Sequence, residues 1–128
     1  MTKTKIMIVD DEQDFLKVVK LNLEDTGKFE VLTLPEANDI IGQVHKFRPQ
    51  LIILDMLMPG IGGMEACDML NQDPLAKTVP IMILSALDKE KEKLEAYKKG
   101  VVGYLSKPIE KNTLITKIEN ALRHKGGR

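Results

Sequence analysis

Four apolar runs of this chain end in residues able to do chemistry. Ile6-Met7-Ile8-Val9 leads into Asp10-Asp11, and Leu51-Ile52-Ile53-Leu54 leads into Asp55. Ile81-Met82-Ile83-Leu84 leads into Ser85, and a run over 101–105 leads into Ser106-Lys107-Pro108. Gathered in one place, these residues supply three carboxylates, a hydroxyl and an ammonium. Carboxylates a few ångströms apart repel, and some protonate unless a cation intervenes. A hard divalent ion relieves that conflict. Mg²⁺ suits a site with few protein oxygens, because it keeps several waters and shares phosphate oxygens. The chain has no HxxxH or CxxC spacing, which argues against zinc. Lys107 and the Ser85 hydroxyl complete a pocket for a phosphoryl group, with the metal, ammonium and hydroxyl each taking one equatorial oxygen. A carboxylate can itself be the nucleophile, giving an aspartyl phosphate, and Asp55 is the candidate. Alone, an acidic pair at the end of a run is commonly a helix cap or a solvated loop. The weight lies in four of five runs ending in matching chemistry.

The elements that must carry these residues are legible in the patterning. Five apolar runs stand out, the fifth being Phe29 to Leu34, and most do not alternate with polar residues. Runs of this kind, rich in Ile and Val, predict strands covered on both faces, as in a parallel sheet. Between them lie amphipathic segments. Phe15, Val18, Val19 and Leu23 recur at helical spacing before Gly27, and Ile40, Ile41 and Val44 follow an opening at Pro35. Met64, Cys67 and Leu70 precede Asp73-Pro74, Leu94 and Tyr97 punctuate the charged stretch 89–99, and Leu114, Ile115, Ile118 and Leu122 follow Pro108. Five strand-then-helix units in alternation predict a doubly wound α/β sheet with right-handed crossovers. In such sheets ligands bind outside the carboxyl ends of the strands, which is where all these polar residues fall.

Composition narrows the class. The 128 residues suit a single domain over 1–128 with a core of about 5–124. Nineteen basic residues balance nineteen acidic ones, so no global field favours nucleic acid or an anionic membrane. One cysteine excludes an intramolecular disulfide. No signal peptide or membrane-spanning stretch is evident, and the expectation is a cytoplasmic domain. Cys67 reads as core, while His45 and His124 read as solvated residues on a helix surface and a helix end.

The residues Val9-Asp10-Asp11, Leu54-Asp55-Met56-Leu57-Met58-Pro59-Gly60 with Gly63, Ser85-Ala86, Tyr104 and Lys107-Pro108 together resemble the receiver domain of two-component response regulators, in particular stand-alone chemotaxis-type receivers. The resemblance spans nearly the whole chain. It implies a flavodoxin-like (βα)5 three-layer sandwich of strand order 2-1-3-4-5 and a phosphoryl group taken from a histidine kinase or histidine phosphotransfer protein. By carry-over Asp55 is the acceptor and Asp11 binds Mg²⁺ directly, Mn²⁺ being able to substitute. Asp10 acts through metal-bound water, and the Leu57 carbonyl is a further ligand. Ser85 and Lys107 contact the phosphoryl oxygens, Tyr104 swings during switching, and the Lys107–Pro108 peptide is cis. The expected output is a protein target on the face of the fourth helix, fifth strand and fifth helix, from a monomer or weak dimer. No turnover of a separate substrate is expected, only the domain's own phosphorylation and dephosphorylation.

Three departures stand out. Leu57 and Leu87 occupy positions where many relatives carry polar residues, which bears on hydrolysis, and Gly62 replaces a helix-capping side chain. A haloacid-dehalogenase-like phosphatase would need a second Asp where Leu57 stands. A flavodoxin-like cofactor site would meet repulsion from Asp10-Asp11-Glu12. A pseudo-receiver that binds partners without phosphorylation, or a receiver within a longer regulator bearing an effector, remains as an alternative.

Overall fold

The computed structural model describes residues 2–86 and 89–123; Leu87, Asp88 and His124 lie outside the described residues. Five strands alternate with five α-helices: β1 (Thr4–Val9), α1 (Gln13–Glu24), β2 (Phe29–Leu34), α2 (Ile40–Phe47), β3 (Leu51–Leu54), α3 (Gly63–Gln72), β4 (Ile81–Ser85), α4 (Glu90–Lys98), β5 (Gly103–Ser106) and α5 (Lys111–Arg123). A 3-10 turn, Ala76–Thr78, leads from α3 towards β4. All strand pairs are parallel, in the order β2-β1-β3-β4-β5. The flavodoxin-like order is as expected.

The unbroken apolar runs are explained by the two cores they serve. Met7, Val9, Ile52, Leu54, Ile81 and Ile83 face one core with Ile40 and Val44 of α2, Cys67 and Leu70 of α3 and Ala96 of α4. Their neighbours Ile6, Ile8, Leu51, Ile53, Met82 and Leu84 face the other, with Leu16, Val19 and Leu23 of α1 and Leu114 and Ile118 of α5. Successive strand residues point to opposite faces, so a central strand between two helical layers has no polar side. Deleting one such side chain, as in Ile52→Ala, costs about 2–5 kcal/mol.

Several helical details depart from the periodicity reading. Helix α1 buries Leu16, Val19 and Leu23, while Val18 is 57% exposed. Helix α2 begins at Ile40 rather than at Pro35, after a turn through Asn38 and Asp39 closed by the Ile40 N–H on the Ala37 carbonyl. In α4 the expected apolar pair Leu94 and Tyr97 is exposed, and Ala96 makes the buried contact. The last strand starts at Gly103, two residues after Val101. None of these shifts moves the carboxyl end of a strand. Among the described residues, no helix is long and apolar enough to cross a membrane.

Candidate functional site

The site follows from what happens one residue beyond each strand. The Asp10 N–H donates to the Leu34 carbonyl at 3.0 Å, and the Asp55 N–H donates to the Val9 carbonyl at 2.9 Å. The Lys107 N–H donates to the Ser85 carbonyl at 2.8 Å. These bonds prolong the parallel ladder past β1, β3 and β5, and hold the polar residues on the carboxyl edge of the sheet. Because β1, β3, β4 and β5 are consecutive neighbours, Asp10, Asp55, Ser85 and Lys107 line up along that edge. The predicted constellation is therefore assembled. Asp10 and Asp55 are buried, Ser85 is fully so, and Asp11 is exposed.

The loop after β3 is held by a close approach. The Gly63 N–H donates to the Met56 carbonyl at 3.0 Å. A Cβ at Gly63 would lie 2.6 Å from the Asp55 carbonyl oxygen and 2.9 Å from the Met56 Cα. Only glycine lets α3 begin this near the Asp55 backbone. Gly62 provides no side-chain cap to that helix, as its residue type implies. Leu57, two residues past Asp55, is 59% exposed.

The charges explain themselves. Carboxylate oxygens of Asp10, Asp11 and Asp55 all lie within 4.8 Å of one another. Burial, seconded by the Asp10 charge, pushes the Asp55 carboxyl up to about 6 from its ordinary 3.8, against an opposing pull from Lys107. Such a cluster carries more negative charge than one ammonium relieves, and three hard oxygens this close fit a divalent cation such as Mg²⁺. Lys107 donates to Asp10 Oδ2 at 2.5 Å and to Glu12 Oε1 at 2.8 Å, and its Nζ stands 3.8 Å from Asp55 Oδ2. Burial works against that ammonium, yet its hydrogen bonds to Asp10 and Glu12 prevail and raise its pKa. The Lys107–Pro108 peptide is cis, as expected.

Tyr104 is only 8% exposed, within the core shared with α3 and α4, and the Lys93 ammonium stands 5.9 Å from the centroid of its ring. Its side chain therefore lies inward in this structure. His45 is exposed on α2, as expected, and pairs through Nε2 with Asp73 at 2.9 Å, tying α2 to the turn after α3. Sequence reasoning also passed over Glu12 and Phe15 as partners of Lys107. Their proximity to the acidic pair was the available signal, but nothing in the spacing connects them to a lysine so far along the chain.

Residues 6–119 match the response regulator receiver domain family. The chain is 31% identical over 119 residues to the alkaline phosphatase synthesis transcriptional regulatory protein PhoP of Bacillus subtilis, covering 93% of this chain and 48% of that protein. It is 33% identical over 119 residues to the phosphate regulon transcriptional regulatory protein PhoB of Rhizobium meliloti, covering 93% and 52%. The chain thus spans about half the length of both relatives. Chemotaxis protein CheY4 of Vibrio cholerae superposes with a TM-score of 0.88 at 28% identity, over 94% of this chain and 99% of that one. A two-component response regulator of Clostridium difficile gives 0.86 at 26% identity, over 94% and 97%. With the strand order and the acidic edge already in place, these likenesses leave one conclusion: the chain belongs to the family of response regulator receiver domains.

Proposed function

We propose that Asp55 is the residue that takes the phosphoryl group, from a histidine kinase or a histidine phosphotransfer protein. The observation that carries this is the buried Asp55 carboxylate, gathered with those of Asp10 and Asp11 within 4.8 Å and faced by the Lys107 ammonium at 3.8 Å. An Asp55 carboxylate oxygen forms the bond to phosphorus as the bond from phosphorus to the donor's imidazole nitrogen breaks, and the imidazole is released. Asp11 and Asp55 directly, Asp10 through water, and the Leu57 carbonyl are the groups that would hold Mg²⁺, which supplies charge neutralisation for the transferring group. Lys107 and Ser85 sit on the two neighbouring strand ends, where each can donate to a phosphoryl oxygen. The domain acts on itself alone, with no separate substrate to turn over.

The change is read out by a protein target on the face of α4, β5 and α5, with Ser85 and Tyr104 linking the site to that face. Ser85 ends β4 and pairs in register with Ser106, and Tyr104 pairs with Ile83 two residues before it. A displacement of the Ser85 hydroxyl towards a new phosphoryl oxygen therefore acts on β5 and on the start of α4. A second reading, a receiver coupled to an effector domain, is favoured by the half-length match to two transcriptional regulators. Incubation with acetyl phosphate and Mg²⁺ followed by intact mass spectrometry tests the acceptor. A single phosphate adduct is expected, absent in EDTA and absent from Asp55→Asn. The same adduct on Asp55→Asn refutes the assignment, and no adduct at all favours a phosphorylation-independent binding module.

A further inference from the structure

The Lys107 side chain is 11% exposed, and its ammonium is committed on three sides. It donates to Asp10 Oδ2 at 2.5 Å and to Glu12 Oε1 at 2.8 Å, and it stands 4.6 Å from the centroid of the Phe15 ring. Asp55 Oδ2, at 3.8 Å, is within range of its charge but beyond a hydrogen bond. The ammonium therefore rests towards α1, short of the carboxylate it would serve. The local backbone builds this arrangement. The Glu12 N–H donates to Asp10 Oδ1 at 2.9 Å, a tight Asx turn, so Asp10 uses one oxygen to fold the turn and the other to hold the lysine. That turn carries the Glu12 carboxylate over Lys107 from the solvent side, where Glu12 is 63% exposed.

Resting on the reading of Asp55 as phosphoryl acceptor, we propose that Glu12 is a positioning residue. It holds Lys107 in a cradle with Asp10 and Phe15, and competes with a phosphoryl group on Asp55 for the same ammonium. The ammonium has three protons, and two are already given to carboxylates. Asp10 is fixed by burial, whereas Glu12 is the exposed and replaceable arm of the cradle. A screened pair of this kind biases an equilibrium by about two- to fivefold. Glu12 is thereby a brake on how readily the phosphoryl-bearing state recruits Lys107.

The test uses beryllofluoride as the phosphoryl probe at saturating Mg²⁺, with binding followed by amide NMR, on Glu12→Gln in two backgrounds. Glutamine keeps the length and the acceptor oxygen while removing the charge. In the native background Glu12→Gln is expected to tighten beryllofluoride binding about two- to fivefold at low salt, with the gain shrinking at about 1 M salt as screening removes the competing charge. In a Lys107→Gln background the same change should do nothing. In EDTA, without any phosphoryl probe, the ¹⁵N-lysine ammonium signal of Lys107 should be hydrogen-bonded in the native chain and shift in Glu12→Gln. Unchanged beryllofluoride affinity overturns the proposal. So does tightening that persists without Lys107, since it would report the field of Glu12 and not its hold on the lysine. Failure of the acceptor reading looks different: the native chain then binds no beryllofluoride at all, and the proposal falls with it.

Discussion

Replacing Asp55 by Asn should make the metal-free protein more stable, although it removes the residue on which the proposed function turns. Asp55 is 6% exposed and ends a central strand. Burial and then the neighbouring Asp10 charge raise its carboxyl from 3.8 to about 6. A raised carboxyl means that the fold favours the protonated form. Its favourable contribution is complete below about 4, declines as pH rises through about 6, and is gone at pH 8. Each pH unit of that rise corresponds to about 1.4 kcal/mol, which puts the penalty of the ionised carboxylate near 3 kcal/mol. Water reaching this open edge screens part of it, so about 1–3 kcal/mol is the expected gain for Asp55→Asn at pH 8. Urea denaturation in EDTA measures it directly, comparing native and variant chains at pH 8 and pH 4.5. The gap should be clear at pH 8 and small at pH 4.5. Adding Mg²⁺ should close the gap at pH 8 from the other side, because the native site binds the ion and the variant has lost a ligand. Equal stability of the two proteins at pH 8 in EDTA would refute the electrostatic account of the site. A gap independent of pH would show that it arises from something other than the Asp55 charge.

Three further outcomes are expected. Gly63→Ala places a methyl 2.6 Å from the Asp55 carbonyl oxygen, so it should destabilise by about 1–3 kcal/mol in a thermal melt and slow phosphorylation by acetyl phosphate by displacing the loop; normal rates with normal stability would show that the loop tolerates the shift. Leu57→Asn should accelerate loss of phosphate, because an exposed leucine beside the acceptor cannot orient the attacking water while an amide can, and an unchanged decay of the phosphorylated species would remove that argument. Arg48→Gly should stabilise by about 0.5–1 kcal/mol in chemical denaturation, since Arg48 closes α2 in the left-handed region at φ 57°; a loss would mean that the Arg48 Nε bond to the His45 carbonyl outweighs the backbone strain.

The amino-acid sequence by itself determined the strand ends and the chemistry placed on them. Unbroken runs such as Leu51 to Leu54 have no polar face, which suits a strand between two helical layers once the segments between the runs are read as amphipathic helices, and Asp55 follows directly from where that run stops. The alternation of such runs with amphipathic segments led to a parallel sheet, and a parallel sheet collects its carboxyl ends on one edge. Those inferences rest on periods and on neighbours along the chain, so they survive any error in how individual helices are rotated. Rotation itself was decided elsewhere. Val18 against Leu16, and Leu94 and Tyr97 against Ala96, are choices between adjacent stripes of a helix, settled by which one meets the sheet. The tertiary structure alone decided the pairings across long chain separations. Glu12 with Lys107, Phe15 with the same ammonium, and His45 with Asp73 leave no trace in local spacing. An ammonium has no sequence signature for which carboxylate it reaches. That is set by the few ångströms between one strand end and the next, and those distances exist only once the sheet has formed.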